Sequence, residues 1–425
     1  MSALHTQTPP SPSVGKLACM LLHLPLTPVS CMFRPCSRGW TTFERCSAEL
    51  IKPDRPYVTP EGLMVAEGRF LWKMCIDTGA VSGARTARGR LMPTAPDAFA
   101  KLLQSKTFTN SADHDQVAKL YKDTADAVLG GAENLELDHL PWVAGDGSAL
   151  ALTLSSCRCL KSLSLCFTPK PEEEAKAFFN GIACGTSLHL LEDLFLQECG
   201  LRDPAAFALA EAIRSGAMPA LKCLILNNNR LREAGVTALA EAIGIGSVPC
   251  LKTLDFSESR PGDDGVKAVA AALLNGATPH LTELNLESTK IHEAGIRALA
   301  DAIRAGSMPA LKILNLANDR LRTTVTPILE AVATGAAPQI ESICLQGTRV
   351  GDDAAHGIAI AVSKGGAPSW HRLQLGSCDI TGVGAGALAL VLDEGRMSML
   401  LEIDVSQGRT SALNPSFAIQ LLSVL

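Results

Sequence analysis

From Ala132 to the end of the chain, apolar positions alternate between two rhythms. Short stretches read L-x-x-L-x-L, the spacing of a strand whose alternate side chains share one face. Each is followed by apolar residues at i, i+3, i+4 and i+7, the spacing of one face of a helix. Three copies lie thirty residues apart: Leu221-Lys222-Cys223-Leu224-Ile225-Leu226, Leu251-Lys252-Thr253-Leu254-Asp255-Phe256 and Leu281-Thr282-Glu283-Leu284-Asn285-Leu286. The pattern predicts Leu224 and Leu226 pointing inward and Ile225 outward. In the helices, Val236, Leu239, Ala240 and Ile243 match Ile296, Leu299, Ala300 and Ile303. The recurring alanine of that face (Ala210, Ala240, Ala270, Ala300, Ala359, Ala389) is expected where the helix comes closest to the strand, because a larger side chain would overpack.

Polar and special residues punctuate the same frame. Eight residues into the block stand Cys199, Asn229, Ser259, Thr289, Asp319, Thr348 and Cys378, expected to satisfy backbone groups where the chain leaves the strand. Twelve residues in stand Asp203, Glu233, Asp263, Glu293, Thr323 and Asp352, expected to accept from the free N–H groups that open each helix. Glycine closes the helix at Gly185, Gly216, Gly246, Gly276, Gly306, Gly335, Gly365 and Gly395, and proline prevents its continuation at Pro219, Pro249, Pro279, Pro309, Pro338 and Pro368. Blocks start at Ala132, Leu160, Leu191, Leu221, Leu251, Leu281, Leu311, Ile340, Trp370 and Leu400, which makes ten. Repetition at this period predicts a solenoid, in which each unit stacks on its neighbours.

Upstream the rhythm is different. Asp113 and Gln116 have capping-box spacing, and Val117, Leu120, Tyr121, Val128 and Leu129 predict a helix over residues 111–131 that covers the first layer. Residues 1–110 read as a disordered or poorly packed leader, with a Pro/Ser cluster at Pro9 to Ser13 and no acid before Glu44. Its acid-poor start also fits an organellar transit peptide, although arginines are sparse; a secretory signal would need a small-residue cleavage site, and none follows. The end of the last block, Phe417 to Leu425, is apolar without a polar cap, which leaves self-association through that end open.

The L-x-x-L-x-L strand, the polar eighth position and the amphipathic helix resemble the leucine-rich repeat of the ribonuclease-inhibitor-like class, over about Ala132 to Leu425. The resemblance implies an α/β solenoid: a horseshoe with parallel strands on the concave face and helices on the convex face. In that class the concave face commonly grips a protein. Similar arrays form the sensing ends of NOD-like receptors and the body of the Ran GTPase-activating protein. This chain departs in having Asn at the eighth position of one clear block only, Asn229.

Charge and composition narrow the partner. Residues 1–110 hold 13 Lys and Arg against 7 Asp and Glu, and the remainder holds 25 against 36, so the repeats are acidic and unsuited to nucleic-acid phosphates. No apolar run is long enough to span a bilayer, and the 14 cysteines lack disulfide-type spacing, pointing to free thiols in the cytoplasm. No G-x-x-x-x-G-K-[ST] or H-E-x-x-H occurs. Cys157, Cys159 and Cys166 lack a second pair at zinc spacing, and no cofactor or catalytic group is expected.

Packing leaves the outward strand positions free to encode recognition. Among them Asp193, Phe195, Ile225, Asp255, Glu283, Asn285, Glu287, Arg372, Glu402 and Asp404 are the candidates for partner binding. Asp255, Glu283 and Glu287 are expected to form one acidic patch for a basic protein surface, with Phe195 and Ile225 as an apolar hot spot beside it. The expected function is a non-enzymatic protein-binding scaffold. The alternatives are a small-GTPase regulator, by the Ran GTPase-activating resemblance, and an inhibitor of a basic enzyme.

Overall fold

The computed structural model describes residues 46–47, 57–58, 64–65, 92–108, 110–111, 113–319, 321, 325–365, 369–393 and 402–404. The apolar end at Phe417–Leu425, most of the leader, Thr323, Pro368 and Gly395 lie outside them. Ten three-residue strands form one parallel sheet in strict chain order, from Asn134–Glu136 to Glu402–Asp404. Neighbouring strands pair without slippage, so that Leu163, Leu194, Leu224, Leu254, Leu284 and Leu314 stand directly beside one another. All six are buried, and Leu196, Leu226, Leu286 and Leu316 form a second column behind them with Phe256 in the same place. A helix follows nearly every strand, among them Asp203–Arg214, Glu233–Gly244, Gly262–Leu274 and Glu293–Arg304, and each packs on the next. Among the described residues no helix is long and apolar enough to cross a membrane.

The alanines are buried at Ala210, Ala240, Ala270 and Ala300 but half-buried at Ala359 and Ala389. The closing glycines reach the left-handed region, with φ 72° at Gly216 and 82° at Gly246. Gly185 differs: it is the last residue of the helix Glu172–Gly185, without a positive φ.

The packed region extends upstream of Ser111. Helix Pro96–Gln104 buries Phe99 and Leu103, and Phe99 stacks on Tyr121 of the helix Asp113–Gly130 with ring centroids 3.9 Å apart. Tyr121 donates to the Thr94 carbonyl at 2.7 Å, and Thr153 of the first repeat donates to the Pro93 carbonyl at 3.0 Å. Within the leader, Tyr57–Val58 also pairs antiparallel with Met64–Val65. Residues 92–108 thus pack on the helix Asp113–Gly130 and on the first repeat.

The eighth-position residues form a buried polar ladder between repeats. Asn229 donates to the Leu196 and Leu226 carbonyls, each at 2.8 Å, and accepts from the Leu201 N–H at 3.0 Å. Cys199 and Cys378 each donate to the Leu165 or Leu345 carbonyl of an earlier repeat. Thr289 donates to the Leu286 carbonyl and contacts the Asp319 carboxylate, which also accepts from the Lys290 N–H at 2.6 Å. Ser259 breaks the series, since its buried hydroxyl has no partner in the structure.

The acids at the twelfth position do not cap their own helices. Helices Asp203–Arg214, Glu233–Gly244 and Glu293–Arg304 have no side-chain cap at their N-cap residues. Asp203 instead accepts from the Arg232 N–H of the next repeat at 2.8 Å. Asp263 accepts from the His292 and Gly295 N–H groups at 2.7 and 3.0 Å, and Asp352 from the Thr381 N–H at 2.7 Å. Each carboxylate therefore caps the helix one layer on. The reason is geometric: the acid occupies the first helical turn, and the adjacent helix start, about 10 Å away axis to axis, lies within its reach. A glycine makes room for it. A Cβ on Gly235 would stand 2.5 Å from Asp203 Oδ1, and one on Gly384 2.5 Å from Asp352 Oδ1.

Two outcomes are expected. Gly235→Ala gains about 1 kcal/mol of helix propensity but displaces a carboxylate from a charged hydrogen bond worth about 1.5–3 kcal/mol. Net destabilisation of about 1 kcal/mol is expected, shrinking in the background of Asp203→Ala; equal effects in both backgrounds would refute the inter-repeat cap. The second concerns Asp319, whose carboxyl is pushed by burial, against its hydrogen bonds, from 3.8 to about 6. A raised carboxyl favours the folded state most below its unfolded value. Stability of about 3 kcal/mol is therefore lost as pH rises from about 4 through 6. Asp319→Asn removes that loss, so urea unfolding should find the variant more stable than the parent at pH 7 but not at pH 4. The same difference at both pH values would refute it.

Candidate functional site

The concave face is built from strand residues one place either side of the buried leucines, and pairing in register sets them in rows. One row runs Asp193, Cys223, Thr253, Glu283, Ile313, Ser342, Arg372, Glu402 across adjacent strands. A second runs Phe195, Ile225, Asp255, Asn285, Asn315, Cys344, Gln374, Asp404. Asp193, Phe195, Ile225, Asp255, Glu283 and Asn285 thus fall on four consecutive strands, with Glu287 just beyond the last. They are all half-buried. Arg372 is exposed and lies three strands beyond Glu283, about 14 Å at parallel-strand spacing. Glu402 and Asp404 lie on the final strand, and their side chains are outside the described residues.

Within the expected patch Glu287 acts on Asp255 and Asp255 acts on Glu283, and amides organise Asp255 and Glu287. Asn285 donates to Asp255 at 3.0 Å, and Asp255 also accepts from the Ser257 N–H at 2.7 Å. Glu287 accepts from Asn315 at 3.2 Å and from Asn318 at 2.7 Å. Burial pushes the Asp255 carboxyl above its ordinary range, with Glu287 adding to the rise against those hydrogen bonds. Glu283 is raised by burial and then by Asp255, and Asp193 by burial and then by Glu192. Cys223 sits among them, its thiol pushed up to about 12 by burial and by the negative field of Asp193, Glu283 and Asp255.

No Lys or Arg occupies these two rows from Asp193 to Asn315. The nearest lysines precede the strands. Lys222 pairs with Glu192 at 2.7 Å, and farther along the same edge Lys312 pairs with Glu341 at 2.6 Å.

A third row went unread in the sequence. The residue after the last outward position of a repeat bends the chain off the sheet with positive φ: His139 (56°), Phe167 (60°), Glu198 (54°), Asn228 (53°), Glu258 (56°), Ser288 (56°) and Asn318 (57°). Its N–H continues the ladder past the strand, as from Asn228 to the Ser257 carbonyl at 2.8 Å. The signal was the run of Asn228, Asn318 and Gly347 at one block position, since these residue types tolerate that conformation. At the first repeats the row holds His139 and Phe167, stacked with centroids 5.0 Å apart and planes 15° apart.

Among the described residues no group of three or more His, Cys, Asp or Glu is placed to hold a metal ion. The arrangement supplies directional acceptors and apolar surface, which is the chemistry of recognition.

Two stretches, residues 278–300 and 371–389, match the family model described as Leucine Rich repeat. Each spans a concave strand and the start of its helix. The fold is a leucine-rich-repeat solenoid. Solved structures similar to this chain include an internalin from Listeria monocytogenes, 11% identical, with 76% of this chain and 96% of that one covered and a TM-score of 0.22. Another is the plant peptide hormone receptor RGFR1 in complex with RGF2, 11% identical, with 60% and 52% covered and a TM-score of 0.23. No curated protein sequence matches the chain.

The acid ring around Cys223 has a measurable consequence. Iodoacetamide at pH 8, read by peptide mass mapping, should label Cys223 at least tenfold more slowly than the exposed Cys184. Asp193→Asn with Glu283→Gln should speed it. A rate indifferent to those substitutions would show that the acids do not act on the thiol.

Proposed function

We propose that this chain is a protein-binding scaffold whose concave face receives a basic protein surface or peptide. The observation that carries the reading is the acidic set on the two rows from Asp193 to Asn315: half-buried carboxylates, with Asp255 and the adjoining Glu287 held by amides and no Lys or Arg within that stretch of either row, although Lys222 at the strand edge offsets Asp193. Half-buried carboxylates without counter-charges are costly alone and become favourable when an ammonium or guanidinium arrives. Phe195 and Ile225 add apolar area beside them, which supports an interface with a dehydrated centre. The thirty-residue period with a full helix in most blocks supports the ribonuclease-inhibitor-like class. The free thiols of Cys157, Cys166, Cys199 and Cys378 support a reducing compartment such as the cytoplasm.

Reversing Asp255, Glu283 and Glu287 together to Lys should weaken the partner by about 2 kcal/mol or more, close to thirtyfold, with the thermal unfolding curve as the folding control. Affinity should also fall as pH drops from 7 towards 5. The raised carboxyls of Asp193, Asp255 and Glu283 take up protons earlier than ordinary ones and lose their attraction for a cation. Recovery of the same partners from lysate by the reversed variant would end this reading.

A further inference from the structure

We propose that a small cavity at the edge of the sheet, between the first repeats, binds a phosphate group, either free or as the monoester of a serine side chain. The cavity has a volume of about 190 Å³ and is lined by Arg158, Ser187 and His189 together with the buried Leu160 and Leu188. It is separate from the concave acids, so its failure would leave the scaffold reading untouched.

A break in the repeat pattern marks the place. Two residues before the start of a block stands proline, at Pro219, Pro249, Pro279, Pro309, Pro338 and Pro368; at the same position the blocks from Leu160 and Leu191 carry Arg158 and His189. Stacking gives no reason for the exchange, because both side chains are exposed. It brings a guanidinium and an imidazole from adjacent layers onto one cavity, and no Asp or Glu lines it. Glu192, the acid nearest His189 in sequence, is held by Lys222 at 2.7 Å. The Arg158 guanidinium has no ion pair or hydrogen bond among the described residues. The carbonyls that end helix Asp146–Leu154, which would repel an anion, are taken: those of Leu152, Thr153 and Leu154 accept from the Ser155, Ser156 and Cys157 N–H groups.

The donors select the ligand. Ser187 Oγ and His189 Nε2 lie 2.6 Å apart. With Nε2 donating to the Ser187 oxygen, the hydroxyl hydrogen and, in the protonated ring, the Nδ1 hydrogen remain for an anion. Arg158 adds a planar fork that takes two oxygens of a phosphate at once. A carboxylate, with two oxygens in one plane, satisfies the fork and leaves the other donors unused. A phosphate monoester has three strong acceptor oxygens and a charge of about −1.5 to −2 near neutral pH, so it engages all three residues. Size sets the other limit. The volume lies below the roughly 300–1,000 Å³ of sites that enclose a drug-sized ligand, and it suits the phosphate group rather than the molecule that bears it.

The test is protection of Arg158 from phenylglyoxal, read by peptide mass mapping on the full chain, with the exposed Arg230 as internal reference. Inorganic phosphate, N-acetyl-O-phosphoserine amide and acetate are each titrated at pH 7 and constant ionic strength. Phosphate or the phosphoserine probe should slow labelling of Arg158 about tenfold or more, half-maximally at or below about 1 mM, with Arg230 unchanged and acetate without effect. Ser187→Ala with His189→Asn, checked for an unchanged unfolding curve, should raise that concentration about tenfold. Protection by both probes establishes the group. Protection by inorganic phosphate alone makes the free anion the ligand, and protection by the phosphoserine probe alone makes it a phosphorylated protein segment. Labelling of Arg158 that neither probe slows, that slows no more than Arg230, that acetate slows equally, or that is protected at the same concentration in the double variant overturns the proposal.

Discussion

The inward leucines of one repeat are buried by the leucines of the next. Leu224 lies beside Leu194 on one side and Leu254 on the other, and the three-residue strands are too short to hide them within a single repeat. Stacking in register is therefore the condition for any burial at all, and the block of about thirty residues keeps the strands aligned although its length varies slightly. A slip of one residue would turn the outward set, with Asp255 and Glu283 in it, into the core. The same constraint explains the cap. Helix Pro96–Gln104 and helix Asp113–Gly130 supply the apolar neighbours that the first repeat lacks, through Phe99, Leu103 and Tyr121.

The polar residues obey the stacking rule too. Asn229 links the carbonyls of two successive repeats, Thr289 reaches Asp319, and Asp203, Asp263 and Asp352 each cap the helix of the following layer. In an array of this kind stability is a sum of unit and interface terms, and such bonds belong to the interface term. That also shows why one eighth-position residue replaces another so freely. Amide, thiol and hydroxyl each reach a carbonyl of their own or an earlier repeat, whereas the carboxylate of Asp319 has only acceptors to offer and meets the Thr289 hydroxyl and the Lys290 N–H instead.

The architecture was legible because apolar period is a direct image of packing: the leucine columns and helix faces are found where the spacing puts them. What resisted reading was the destination of polar groups. Asp203 has a residue type that suits a helix start, and nothing local distinguishes capping its own helix from capping the next. The distinguishing mark was remote, in Gly235 thirty-two residues later, whose missing Cβ leaves the carboxylate its place. The row from His139 to Asn318 was missed for a related reason. Two-residue alternation fails where the backbone turns left-handed, and Phe167 and Glu198 carry no sequence mark of that turn. Helix Pro96–Gln104 was hidden within a Pro- and Gly-containing leader because its binding surface, Tyr121, belongs to another element.

On the concave face, the amides change what the acids mean. Asp255 and Glu287 stay half-buried because Asn285, Asn315 and Asn318 donate to them, and those amides are themselves strand or turn residues fixed by the ladder. Amides satisfy hydrogen bonds without neutralising charge, so the face keeps its negative potential while losing the side-chain freedom that a flexible surface carboxylate would have to give up on binding. Lysines in place of those asparagines would have closed the same gaps as internal ion pairs and cancelled the field. The choice of a neutral donor at Asn285 and Asn315 is therefore the point where the solenoid's own bonding and its capacity to attract a cation are reconciled.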